Sequence, residues 1–371
     1  MVYYKSVWQA PTPASSTLDR ENRSIVQTIT ADKSQKIKNM SLLCSFLVVS
    51  IHIPWTHDIP LSCEWLIYEG VKRGVARIAV PFFFIVSGFF LAQHFSEDGW
   101  LRREIRKRIK SLAIPYICWS IIAFAAPVLL NIAADLIANR PFGTSIYFLN
   151  NANWLQILSL DVTNSPYLVT LWYVRCLFLL ILTSSVIEYL IRKLDFVWLM
   201  ISFIFLLAFS HIPNENLRHF FEYGYAANGL FYFSIGIFLC KHRISVKPTK
   251  FAVLAGVIGL SLLGIKLVFS FRNWIGTTML EKFSIPFLLY CTWHFMSTAK
   301  WPLWATSCSF PIFLMHPIFL CYLEVISRHL PLNKLTQDLI GFCMAIFGTI
   351  IVTLLLRKFM PKTASLLFGG R

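Results

Sequence analysis

Charge is what this sequence has least of. Only 14% of its 371 residues are Asp, Glu, Lys or Arg, while 56% are hydrophobic and 16% aromatic, giving a mean hydropathy of +0.62. Such a chain cannot solvate the surface of a globule of this size, which excludes a soluble enzyme and implies a polytopic membrane protein. Acidic residues are the scarcer sign: 18 against 34 Lys and Arg leave a formal net charge of +16. That excess could serve nucleic acid, but the cations sit in short segments between apolar runs, where orientation in a membrane explains them, so no nucleic-acid partner is expected. A secretory signal is also missing. Residues 1–38 have no apolar h-region and no small-residue cleavage site, and read as a poorly ordered cytoplasmic tail. No internal repeat and no Pro/Gly-rich linker divides the rest, so 39–356 reads as one membrane domain, followed by a cytoplasmic tail over 357–371. The nine cysteines are an odd number lying almost all within or against apolar runs, which implies buried, inert thiols rather than a disulfide framework.

What the chain has in abundance is long hydrophobic runs. They fall at about 39–55, 78–95, 112–134, 168–191, 196–211, 226–240, 251–271, 283–299, 308–327 and 337–356. The expectation is an all-α protein of about ten transmembrane helices, with the fifth and sixth shorter than the roughly 20 residues that cross a bilayer without strain. With both termini cytoplasmic, 23 of the 34 Lys and Arg fall in inner segments and nine in outer loops, as the positive-inside rule requires.

Ionisable groups inside such runs are costly unless paired or wet, so each is a candidate for function. His52 lies near the outer end of the first span, Arg77 opens the second at the same level, and Arg175 in "LWYVRCLFLLIL" lies in the outer half of the fourth. All three point to one leaflet. His316 in "FPIFLMHPIFL" lies near the middle of span nine, and Lys266, in span seven, reads as a structural residue that snorkels outward. On the inner side "LRREIRKRIKSLAIPYICW" concentrates six cations. They satisfy the positive-inside rule and attract anionic membrane lipid, and their guanidinium groups also suit the phosphates of a nucleotide-bearing donor.

These stretches together resemble the acyltransferase 3 family of integral-membrane acyltransferases. The resemblance rests on "FLVVSIH", "RIAVPFFFIVSGFFL", "KRIKSLAIPYICW", "LWYVRCLFLLIL" and "FPIFLMHPIF", which occur in the family's order across most of the ten-span domain. It implies transfer of an acyl group, usually acetyl, from cytoplasmic acetyl-CoA to a sugar hydroxyl of a surface glycan or its lipid-linked precursor, in a bacterial inner membrane and without a metal. It places the family's catalytic histidine on His52 and its span-two arginine on Arg77, with Ser87, in the same motif, among the acceptor or pocket residues. The R-x-x-R donor patch falls on Arg103 and Arg106, adjoined by Lys107 and Arg108. Acceptor or pocket residues fall on Trp172, Tyr173 and His316, near Arg175. One departure stands out: relatives carry Arg or Lys eleven positions before the span-one histidine, where this chain has Ser41, with Lys38 a turn earlier as a substitute. The family's appended extracytoplasmic hydrolase-like domain is not expected.

Acyl transfer from a thioester to an alcohol needs a base, an oxyanion stabiliser and exclusion of water. His52 suits the first task as general base, with a covalent acyl-histidine as the variant; Arg77 and Arg175 suit the second, and Trp172 and Tyr173 would form a sugar-stacking wall. Asp58, Glu64, Glu69 and Asp161 lie on the outer side without any being assignable to His52. The donor phosphates belong inside and His52 outside, so the pantetheine arm must thread between helices or the acetyl be relayed. A transporter or flippase for a lipid-linked sugar shares the span count and buried cations. An acyltransferase acting on a small molecule or on peptidoglycan shares the motifs.

Overall fold

The computed structural model describes residues 30–55, 62–137, 139, 153–243, 248–271, 277–327 and 331–370. Among the described residues the chain is helical, with no strand. Helix α1 (Ala31–His52) starts where the Thr30 hydroxyl accepts the Lys33 N–H, so its first eight residues come from the segment expected as tail. Next come short helical turns over Cys63–Lys72 and Val75–Ile78, then α2 (Ala79–Ala92), α3 (Trp100–Arg108), α4 (Ile114–Ile137), α5 (Leu171–Leu182), α6 (Ser184–Leu194), α7 (Phe196–Ala208) and α8 (Ala227–Lys241). Helices α9 (Thr249–Phe271), α10 (Thr277–Phe295), α11 (Ser309–Ser327), α12 (Lys334–Phe359) and α13 (Pro361–Phe368) complete the chain.

Each expected apolar run is thus helical over most of its described length. Among the described residues four helices are long and apolar enough to cross a membrane: Cys63–Ala92, Trp100–Ile137, Thr249–Ser270 and Lys334–Phe359. Counting each of two bent pairs as one span gives six. The fourth expected span is such a pair, broken by 65° between α5 and α6. At the break the Thr183 hydroxyl turns back onto the Leu179 carbonyl at 3.1 Å and meets the Tyr225 hydroxyl at 2.8 Å; beyond it, α6 carries Glu188, Arg192 and Lys193.

Packing is closest between α2 and α8. A Cβ on Gly88 would collide with the Phe233 carbonyl, and one on Gly236 with the Ile85 carbonyl, so two glycines facing each other's backbones set the approach. Helix α1 packs between α2 and α11, α9 pairs with α10, and α11 with α12. The C-terminal segment is no loose tail: in α13 Phe368 is fully buried, and the Leu367 carbonyl accepts the Trp119 indole N–H of α4 at 2.9 Å. The nine thiols are free, but Cys63, Cys321 and Cys343 are exposed rather than buried.

Candidate active site

His52 is the last residue of α1. The helix stops because Ile53 turns extended ahead of Pro54, and Trp55, at φ +41°, folds back to donate its indole N–H to the Ser50 carbonyl at 2.8 Å. Lys72 donates to the Ile53 carbonyl at 2.7 Å, and the charges of Lys72 and Arg77 both act on the His52 ring. The second histidine comes from α11: the rings of His52 and His316 are 5.1 Å apart, centre to centre. His316 is fully buried, and its Nδ1 meets the Ile312 carbonyl at 2.8 Å. A carbonyl only accepts, so the partner assigns the proton to Nδ1. Nε2, on the other side of the ring, is buried with no partner among the described residues.

Arg77 is explained by a carboxylate just ahead of the eighth apolar run, Glu281. Its Nε lies 3.6 Å from Glu281 Oε1 on α10, and Glu281 Oε2 lies 3.6 Å from Lys266 Nζ. Lys266 also meets Glu69 Oε2 at 3.4 Å and donates to the Arg73 carbonyl, while Arg73 pairs with Glu69 Oε1 at 2.9 Å. Lys266 therefore does not snorkel: it is fully buried at the hub of a five-charge network joining α9, α10 and the turns before α2. Three cations against two carboxylates leave one positive charge uncompensated, and Arg77, with 40% of its side chain exposed, stands at the rim near His52.

Arg175 is held differently. Its terminal nitrogens donate to four backbone carbonyls, those of Ser159, Asp161, Asn164 and Tyr223, at 2.6 to 3.0 Å. Three of these bonds pin the loop before α5, and the fourth ties it to Tyr223 in the turn before α8. In the same loop the Asp161 carboxyl accepts from Thr163 and Asn164, and those bonds hold it below the usual carboxylate range. Tyr173 is buried, with its ring 4.7 Å from Phe84 and 5.2 Å from Phe313, one turn before His316. Trp172 is half-buried, 6.3 Å from Phe84, and Ser87 lies half-buried beside Gly88. Of the carboxylates expected on the outer side, Glu69 is in the charge network and Asp161 in its own loop; Asp58 lies outside the described residues. A buried carboxylate does stand near Lys72: Asp338 on α12, with Oδ1 3.3 Å from Lys334 and Oδ2 without a hydrogen bond among the described residues.

The basic run folds into α3 and the turn after it, where three of its six cations acquire acidic neighbours. Arg108 lies 2.5 Å from the buried Glu104 and Lys107 3.7 Å from it. Arg103 bonds Glu97 at 2.6 Å; Glu97, bonded also by His94, is held below its ordinary value by that bond first and by Arg103 second. Arg106 is exposed. None of the four lines the cleft of about 600 Å³ between α1, α2, α8 and α10. That cleft has Asp32, Lys33, Lys36 and Thr298 around its polar part and Phe82, Phe89, Leu289 and Trp293 among its apolar walls. Tyr232 and Tyr290 also line it, and both hydroxyls are buried with no partner among the described residues. Along α2 and α10 the lining ends at Phe82 and Pro286, five residues from Arg77 and Glu281, or about 7 Å of helix rise. Ser41 bonds back to the Ile37 carbonyl, and it is Lys33 and Lys36, not the exposed Lys38, that flank the cleft. Among the described residues no group of three His, Cys, Asp or Glu could hold a metal ion.

Compared with known proteins, residues 37–358 match a family model described as an acyltransferase domain, that of acyltransferase 3. No curated protein and no solved structure matches the chain.

Proposed function

The chain belongs to the acyltransferase 3 family and is a membrane-embedded acyltransferase, and from that premise we propose that it moves acetyl from cytoplasmic acetyl-CoA to a sugar hydroxyl of a cell-surface polysaccharide or its lipid-linked precursor. The observation that carries this reading is the cleft with two orphan tyrosine hydroxyls and a lysine-flanked end, directed toward Arg77. Lys33 and Lys36 suit the donor phosphates, the aromatic and aliphatic walls suit the pantetheine arm, and the Tyr232 and Tyr290 hydroxyls suit its two amides. Threading then answers the separation of inner phosphates from outer base without a relay. In this reading the protein spans a bacterial inner membrane in ten passes, with both termini cytoplasmic; the helical apolar runs and the charge bias support it. The short runs cross as tilted or broken spans.

His52 removes the proton of the sugar hydroxyl as the oxygen attacks the thioester carbon. Arg77, with Lys72 beside it, faces the oxyanion; the surplus positive charge of the network is what supports that role. The carbon–sulfur bond then breaks, and the proton held on His52 passes to the leaving thiolate as CoA-SH. Arg175 keeps the loop before α5 in place, Trp172 and Tyr173 bound the acceptor side, and the exposed part of the α3 run, Arg106 above all, meets donor phosphate or lipid headgroups.

The test is proton NMR of O-acetyl groups on the host polysaccharide, in a deletion strain complemented with wild type or His52→Ala at equal membrane abundance, with thiol release from acetyl-CoA by purified protein alongside. Wild type restores acetyl and releases thiol; His52→Ala does neither. Glycolipid binding without thiol release in the wild type would instead mark a transporter.

A further inference from the structure

The catalytic imidazole has no carboxylate bonded to it among the described residues, yet a base of this kind needs one ring nitrogen fixed so that the other presents its lone pair to the substrate. We propose that His316 is that positioning residue, its Nε2 accepting the N–H of His52 on the side away from the reacting hydroxyl; the inference rests on His52 as the base.

The local sequence builds this arrangement. Pro317 has no N–H, so the Phe313 carbonyl of α11 loses its helical partner, and the carbonyls of Ile312 and Phe313 both act on the His316 ring. Nδ1–H is anchored on Ile312 at 2.8 Å. The ring thereby has one orientation and one tautomer, with its only lone pair at Nε2. That nitrogen is a buried acceptor left unsatisfied, a costly condition in a side chain with no accessible surface. The nearest ring is His52, at 5.1 Å between centres. Two imidazoles joined N–H to N in line stand about 5.2 Å apart, from a nitrogen separation of about 2.9 Å and the ring radii. The separation therefore accommodates one such bond, which a turn of the His52 ring closes. Phe83 and Tyr173 pack on Phe313 in the preceding turn of α11, and the full burial of His316 leaves no bulk water to compete for Nε2.

During the reaction the proton taken from the hydroxyl resides on the substrate-facing nitrogen of His52 and leaves with the thiolate, while the N–H toward His316 is never transferred. His316 thus acts through His52 and touches neither donor nor acceptor.

Two amide substitutions separate this role from packing. Gln places its carbonyl oxygen where Nε2 stands, whereas Asn places its amide where Nδ1 stands and so retains the anchor to Ile312 but not the acceptor. Steady-state kinetics of folded, detergent-purified variants are expected to give His316→Gln within about 10-fold of wild-type kcat, and His316→Asn and His316→Leu on the order of 100-fold below it, with KM for acetyl-CoA unchanged in all three. His52→Ala/His316→Leu should be no slower than His52→Ala alone, since the two act as a unit. Asn retaining more activity than Gln, or loss through KM rather than kcat, overturns the positioning role. Full activity of His52→Ala overturns the base itself, a separate outcome read from a separate variant.

Discussion

Replacing Lys266 by Met tests whether the buried charge network is a structural unit. The ammonium is fully buried, and its loss strands Glu69 Oε2 and Glu281 Oε2, which it meets at 3.4 and 3.6 Å and which pair with no other cation among the described residues. Removing one partner of a buried pair costs about 3–5 kcal/mol. Arg73 still holds Glu69 and Arg77 still holds Glu281, both from partly exposed positions, so the lower end applies: about 3 kcal/mol, roughly a 100-fold shift in the unfolding equilibrium. Because the cost is mainly that of stranded charge, adding Glu69→Gln should recover half of it or more. Unfolding in mixed detergent–SDS micelles, followed by tryptophan fluorescence, measures both variants. A loss below about 1 kcal/mol for Lys266→Met would mean the group behaves as a solvated surface pair and would refute the network as drawn. A double variant no better than the single would refute the stranded-charge account.

Gly88→Ala drives a methyl into the Phe233 carbonyl and should cost about 1–3 kcal/mol in the same assay, whereas Gly70→Ala, with open space around it, should cost under about 1 kcal/mol. Tyr232→Phe removes an orphan buried hydroxyl, so the empty protein should be no less stable while KM for acetyl-CoA rises; unchanged KM would remove Tyr232 from the donor path. The loop before α5 should loosen in acid. The Asp161 carboxyl is held below its unfolded value, so its contribution is complete above that value and is lost as pH falls through the lowered one. Protease nicking between Asn153 and Thr170 should accordingly rise only below about pH 4. Arg175→Lys should raise nicking at neutral pH, since an ammonium has three N–H donors and cannot meet four carbonyls.

The helices were legible because apolar runs this long leave the backbone no other way to satisfy its polar groups. The break at Thr183 was less so, because it depends on a hydroxyl contact with Tyr225, 42 residues away. His52, His316 and Arg77 stood out as polar groups in apolar surroundings, and the structure gathers them at one end of the bundle. Two carboxylates of that region, Glu281 beside Arg77 and Asp338 near Lys72, did not stand out. Glu281 sits just ahead of an apolar run and reads as loop, and Asp338, one residue inside its run, carried the same signal as Arg175 but was passed over. Lys266 misled because snorkelling is judged from its own helix, whereas Glu69, 197 residues distant in sequence, decides its environment. The cleft was out of reach for the same reason: it is made by four helices whose facing sides are set only on packing.

The seating of α13 has a consequence for biogenesis. The indole of Trp119 must wait for a carbonyl 248 residues further along the chain. At a synthesis rate of about 5–20 residues per second that is roughly 12–50 s after Trp119 itself is made. Through that interval α4 stands without its partner, and the seat closes only when Phe368 packs beside Trp119.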